Sequence, residues 1–105
     1  MPAFPEHTDL AALQRYQAAV CQERGWDQTS VAETFLLLTE EVGELAKAIR
    51  KETRLYEEAG KGPSDLAGEF ADVLSYLLEL ANRFDIDLAT AYRDKEALNA
   101  GRTWH

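Results

Sequence analysis

Thr39-Glu40-Glu41-Val42-Gly43-Glu44-Leu45 sets two carboxylates, Glu41 and Glu44, three residues apart inside an apolar run, and Gly68-Glu69-Phe70-Ala71-Asp72-Val73 repeats the pattern with Glu69 and Asp72. In a helix an i, i+3 spacing puts both members of a pair on one side. Like charges so placed cost about 0.2 to 0.5 kcal/mol per pair. Nothing at i+4 neutralises Asp72, since that position is Tyr76. The pattern asks for a cation from outside the chain.

Helix geometry extends the argument from pairs to a site. At about 100° per residue, Val31, Phe35, Leu38, Val42, Leu45 and Ile49 form one apolar stripe, and Glu41 and Glu44 lie roughly 80° and 140° to one side of it. In the second helix the stripe is Leu66, Phe70, Val73, Leu77, Leu80 and Phe84, with Glu69 and Asp72 displaced by similar angles in the same sense. Two antiparallel helices are related by a two-fold axis, so equal offsets of equal hand bring both pairs to the same side of the hairpin. Oxygen ligands without His or thiolate suit a hard divalent ion, Mg²⁺ or alternatively Mn²⁺. A ferritin-like di-iron centre would need Glu-x-x-His, whereas the histidines are His7 and His105. The competing reading is a pair of solvated helix faces in an acidic protein.

Glu41-x-x-Glu44, twenty-four intervening residues and then Glu69-x-x-Asp72 resembles the metal-binding signature of the all-α nucleoside triphosphate pyrophosphohydrolases, the MazG-like group that includes the dCTP pyrophosphatases. The likeness runs from about Leu10 to Trp104. It takes in Arg24-Gly25-Trp26, Glu41-Val42-Gly43-Glu44-Leu45-Ala46, Asp72-Val73-Leu74-Ser75-Tyr76-Leu77, and the ordered Lys95, Asn99 and Arg102. It implies an Mg²⁺-dependent enzyme that splits a nucleoside triphosphate into monophosphate and pyrophosphate, a nucleotide-pool house-cleaning activity.

Composition frames these expectations. A chain of 105 residues with 46% hydrophobic content suits one domain, residues 1–105, with 1–7 as a flexible N-terminus. Its apolar runs are too short to span a bilayer, and Met1-Pro2-Ala3-Phe4-Pro5-Glu6-His7 lacks the basic start and apolar core of a secretory signal. A cytoplasmic location is expected. The net charge of −8 disfavours long nucleic acids. A nucleotide carried in with bridging metal ions is compatible with it. Cys21, the single cysteine, reads as core packing rather than a nucleophile.

Along the chain, Thr8 or Asp9 caps a first helix that Arg24-Gly25 ends, and Trp26 follows in a short turn. Ser30-Val31-Ala32-Glu33 has the capping-box pattern and opens a second helix to about Arg54. Gly60-Lys61-Gly62-Pro63 breaks the chain without the spacing of a phosphate loop. Ser64 is placed to cap a third helix to about Phe84, and Asp87 a fourth ending before Gly101. The expected fold is all-α, a four-helix bundle-like protomer. Leu36, Leu37, Leu74 and Leu78 lie off the main stripes, and helices apolar on more than one side are usually buried on more than one side. A homodimer or dimer of dimers is therefore expected, as the resemblance also implies.

Glu41, Glu44, Glu69 and Asp72 are the expected metal ligands and catalytic carboxylates, with Glu40 a spare candidate for base. Lys95, Asn99 and Arg102 recur at i, i+4 and i+7, a face suited to a phosphate tail if the helix passes Gly101. Tyr76, one turn after Asp72, and Trp26 are the candidates for stacking on the base, each with a packing role as its alternative. Trp104 is equally ambiguous. Lys47 and Lys51 read as intrahelical partners of Glu44 and solvent. The alternatives to the enzyme are a non-catalytic helical dimer with an acidic docking face and a regulator that binds nucleotide without turnover.

Overall fold

A computed structural model describes residues 1–53 and 65–102. The Gly60-Lys61-Gly62-Pro63 break, the Ser64 cap, the end near Arg54 and Trp104 lie outside these residues. Within them the chain forms four α-helices and one short 3-10 turn, without a strand: α1 (Leu10–Glu23), the turn Trp26–Gln28, α2 (Val31–Thr53), α3 (Leu66–Arg83) and α4 (Leu88–Ala100). They make two compact units, one of Met1–Gln28 with Leu78–His105 and one of Thr29–Leu77.

In the first unit, α1 starts where Asp9 leaves the extended region and its Oδ1 accepts the Ala12 N–H at 2.7 Å. It ends at Arg24, and Gly25 takes φ 74°, a conformation that suits glycine. The buried Gln14 ties three elements together. Its amide donates to Asn82 Oδ1 (3.1 Å) and to the Ile86 carbonyl (2.8 Å). Its Oε1 accepts the Leu88 N–H (2.8 Å), and Asn82 Nδ2 donates back to the Gln14 carbonyl (2.9 Å). Asp87 does hold the N-cap position of α4, but its side chain makes no capping bond to the backbone and instead accepts from Thr90 Oγ1. Gln14 on α1 satisfies the open N–H of α4 in its place.

The second unit holds α2 and the first part of α3. Ser30 and Glu33 form the expected cap, with the Glu33 N–H on Ser30 Oγ (3.1 Å) and that hydroxyl donating to Glu33 Oε1 (2.9 Å). At α3 the residue seen capping is Asp65, whose Oδ1 accepts the Gly68 N–H at 3.1 Å. A Cβ at position 68 would collide with the Asp65 carboxylate, so the glycine is what lets this cap close just before Glu69.

The buried face of α2 departs from the expected stripe. Thr34, Leu38 and Ala48 are buried, with Glu41 and Leu45 half-buried along the same line. Phe35, Val42 and Ile49 are 58%, 47% and 41% exposed. On α3, Leu66, Glu69, Val73 and Tyr76 are half-buried, whereas Phe70 and Leu77 are exposed. The buried face is rotated off the expected stripe, which draws Glu41 and Glu69 inward and leaves four of the six α2 stripe residues, Val31, Phe35, Val42 and Ile49, and three of the six on the second stripe, Phe70, Leu77 and Phe84, uncovered.

Candidate active site

That rotation is what builds the site. Glu41 from α2 and Glu69 and Asp72 from α3 each offer an oxygen, and the three oxygens lie within 4.8 Å of one another. Glu41 and Glu69 are half-buried and Asp72 is exposed. Two unit charges about 4 Å apart repel by about 1 kcal/mol in water-like screening and about 4 kcal/mol near a protein surface. Three such groups are hard to hold together as a bare cluster. The Glu41 carboxyl responds: partial burial pushes its pKa above the ordinary value, and the charges of Asp72, Glu69 and Glu40 push the same way.

Glu69 Oε2 is buried and has no hydrogen-bond partner among the described residues. A buried acceptor left open costs about 1–3 kcal/mol, more when charged. A cation held by the Glu41, Glu69 and Asp72 oxygens answers both problems, and an all-oxygen donor set fits a hard divalent ion. Glu44 stands three residues after Glu41 on α2, exposed, and is not one of the three gathered oxygens. Glu40 is exposed as well.

Tyr76 is half-buried one turn beyond Asp72. Lys95 and Arg102 are exposed and Asn99 is half-buried in the other unit. Helix α4 ends at Ala100, but Gly101 keeps right-handed angles (φ −81°, ψ −6°) and the Arg102 N–H bonds back to the Asn99 carbonyl at 3.2 Å. The helix thus stops before Gly101, as expected, and Arg102 follows in a hydrogen-bonded turn rather than on the helix face of Lys95 and Asn99. Trp26 opens the 3-10 turn, 46% exposed, with the Arg24 guanidinium 4.9 Å from its ring centroid. Cys21 is buried, 4% exposed. Burial first, then the charge of Glu79, holds its thiol above the ordinary pKa, as suits core packing.

One charged group of this region was not legible beforehand. Glu79 is buried at 6% exposure and pairs with Arg83 at 3.6 Å. In sequence the two form an ordinary i, i+4 surface pair; the one available hint is that Glu79 follows directly on Leu77-Leu78 and precedes Leu80.

Comparison with known proteins adds the family. Residues 28–95 match the MazG nucleotide pyrophosphohydrolase domain. The chain is 36% identical to human dCTP pyrophosphatase 1 over 109 residues, covering 95% of this chain and 62% of that protein. It is 37% identical to the Mus musculus dCTP pyrophosphatase 1 over 103 residues, 93% of this chain and 60% of that one. A dATP/dGTP diphosphohydrolase of Salmonella phage PMBT28 is 35% identical over 82 residues, 78% of this chain and 23% of the phage protein. The chain therefore spans about three-fifths of the mammalian relatives and about a quarter of the phage one. The matched segment contains Glu41, Glu44, Glu69, Asp72 and Lys95, and a match over more than half of the chain makes it a member of the MazG nucleotide pyrophosphohydrolase family.

Proposed function

We propose that the protein hydrolyses a (deoxy)nucleoside triphosphate to the monophosphate and pyrophosphate in an Mg²⁺-dependent reaction that cleans the nucleotide pool. The observation that carries this reading is the gathering of Glu41, Glu69 and Asp72 oxygens, with the Glu69 carboxylate keeping a buried oxygen without a hydrogen-bond partner among the described residues. The reaction adds water oxygen to the α-phosphorus, breaks the bond from that phosphorus to the α–β bridging oxygen and releases pyrophosphate. Glu41, Glu69 and Asp72, joined by Glu44, would hold the Mg²⁺, which would supply neutralisation of phosphate charge and a lowered pKa for the attacking water. A carboxylate of the cluster, or Glu40, accepts the proton of the attacking water. Lys95 and Arg102 pair with phosphate oxygens and Asn99 donates a neutral hydrogen bond. Tyr76 and Trp26 stack on the base.

The named activities of the relatives support a deoxynucleotide, dCTP first. The single MazG-like domain works in the cytoplasm as a homodimer or dimer of dimers. Among the described residues no helix is long and apolar enough to cross a membrane.

The test is pyrophosphate release from a panel of triphosphates. Release of pyrophosphate that depends on Mg²⁺ and falls at least about 100-fold in Asp72→Ala and Glu69→Gln supports the reading, since removing charge from a metal site removes transition-state stabilisation worth several kcal/mol. Release of single phosphate, or full activity in those variants, defeats it.

A further inference from the structure

The proposed reaction leaves Glu79 without a task, and a buried carboxylate needs one. Taking a charge out of water costs several kcal/mol, so a buried pair is weak evidence of a gain in stability. The partner, Arg83, is 22% exposed, and one of its nitrogens serves both neighbours. Nη2 lies 3.6 Å from Glu79 Oε1 and donates to the Trp26 carbonyl at 3.2 Å. That carbonyl belongs to the first residue of a three-residue 3-10 turn, an element with almost no hydrogen bonding of its own. Trp26 as a whole is 46% exposed, and the Arg24 guanidinium sits over the ring. The turn is held from within through its backbone while its aromatic ring is presented outward.

We propose that Glu79 and Arg83 are positioning residues for Trp26: the buried acid fixes the guanidinium, the guanidinium fixes the Trp26 carbonyl, and the indole so pre-set is the surface on which the nucleotide base stacks. The proposal rests on the triphosphate reading above for its substrate and goes beyond it in assigning the pair. Pre-setting an exposed aromatic side chain cuts the ordering cost that binding would otherwise meet. The pair therefore acts on affinity for a ligand that has a base and leaves the phosphate end alone.

The experiment compares the full chain with Glu79→Gln, Arg83→Lys, Trp26→Ala and the double variant Arg83→Lys with Trp26→Ala. KM and kcat are measured on the best triphosphate, and inhibition by inorganic tripolyphosphate, which has no base, is measured alongside. Trp26→Ala is expected to raise KM about tenfold, the size of a lost base–aromatic stack. Glu79→Gln and Arg83→Lys should give a smaller rise of the same kind, with kcat and tripolyphosphate inhibition within about twofold, and Arg83→Lys should add nothing in the double variant. A pair that merely supports the fold would lower Tm and move kcat and tripolyphosphate inhibition together, or add fully to Trp26→Ala, and either result overturns the proposal. Unchanged KM in folded variants does so too. If Glu79→Gln does not fold, Arg83→Lys carries the test, because it keeps a cation beside Glu79 on a shorter side chain that lacks the Nη2 donating to the Trp26 carbonyl. If the wild type turns over no triphosphate, the activity reading fails by itself. Quenching of Trp26 fluorescence by nucleotide, in a Trp104→Phe background with and without Arg83→Lys, then decides the positioning: equal quenching refutes it and weaker quenching in the variant upholds it.

Discussion

Glu41 joins stability to function at one carboxyl. Its folded pKa is raised above the ordinary 4.5 by partial burial and then by Asp72, Glu69 and Glu40. Between the ordinary and the raised value the folded protein therefore binds more protons than the unfolded chain, and stability falls as pH rises through that window. At neutral pH without metal the ionised Glu41 is a net strain on the fold. Glu41→Gln should raise Tm at pH 7 in chelator, and the difference from the wild type should shrink as the pH falls through the raised pKa towards the ordinary one. Thermal melts from about pH 7 to about pH 4.5 in chelator measure this, taken across the carboxylate range. Millimolar Mg²⁺ should stabilise the wild type and leave Glu41→Gln much less changed, because only a cation that binds the folded form shifts the melt. A wild type that melts lower than the variant under every condition, Mg²⁺ included, would show that Glu41 serves no ion.

Helix ends and helix faces were legible to different degrees in the sequence. Asp9, Gly25, Ser30 with Glu33, and Asp87 mark ends by local chemistry, and local chemistry is written in neighbouring residues. The face that α2 turns inward is not local. Its apolar residues follow alternating steps of four and three, and such a pattern fits more than one partner helix. The buried line runs instead through Thr34, Leu38 and Ala48, with Glu41 half-buried beside it and its oxygen gathered with those of Glu69 and Asp72. Glu41, Glu69 and Asp72 were readable because a carboxylate pair keeps its side of the helix under a modest rotation. Glu44, further round, does not join them here. Gln14 was not readable, since its four bonds reach residues 68 to 74 positions away. It joins α1 to the end of α3 and the start of α4. Gln14→Ala should lower stability by about 2–4 kcal/mol, because it opens a cavity and leaves the Ile86 carbonyl, the Asn82 amide and the Leu88 N–H short of partners. Urea unfolding followed by helical circular dichroism reads the loss, and a change below about 0.5 kcal/mol, the range of an ordinary surface substitution, would contradict the bridging role.

The apolar residues left outside the α2 seam are uncovered in the single chain. Phe35, Val42 and Ile49 recur at seven-residue intervals on α2, as Phe70 and Leu77 on α3 and Phe84 just past its end do, and all six are exposed. A seven-residue apolar repeat is the pattern with which helices pack along a common seam. Full burial of such a side chain contributes about 1.5–3 kcal/mol, so three on one helix supply several kcal/mol towards association. Gly43 adds to this. A Cβ there would meet nothing within 4 Å among the described residues, yet glycine inside a helix costs about 1 kcal/mol relative to alanine. Its openness suits close approach by another backbone. We expect the wild type to elute as a dimer or dimer of dimers in size-exclusion chromatography with light scattering. Phe35→Glu, whose side chain is exposed in the single chain and so leaves the fold of α2 intact, should shift it to a single-chain mass at micromolar concentration. A charge placed in an apolar seam turns its contribution from favourable to unfavourable. A wild type that is already monomeric at that concentration, or a Phe35→Glu variant that keeps the larger mass, would remove this face from the assembly and leave its heptad pattern to some other partner.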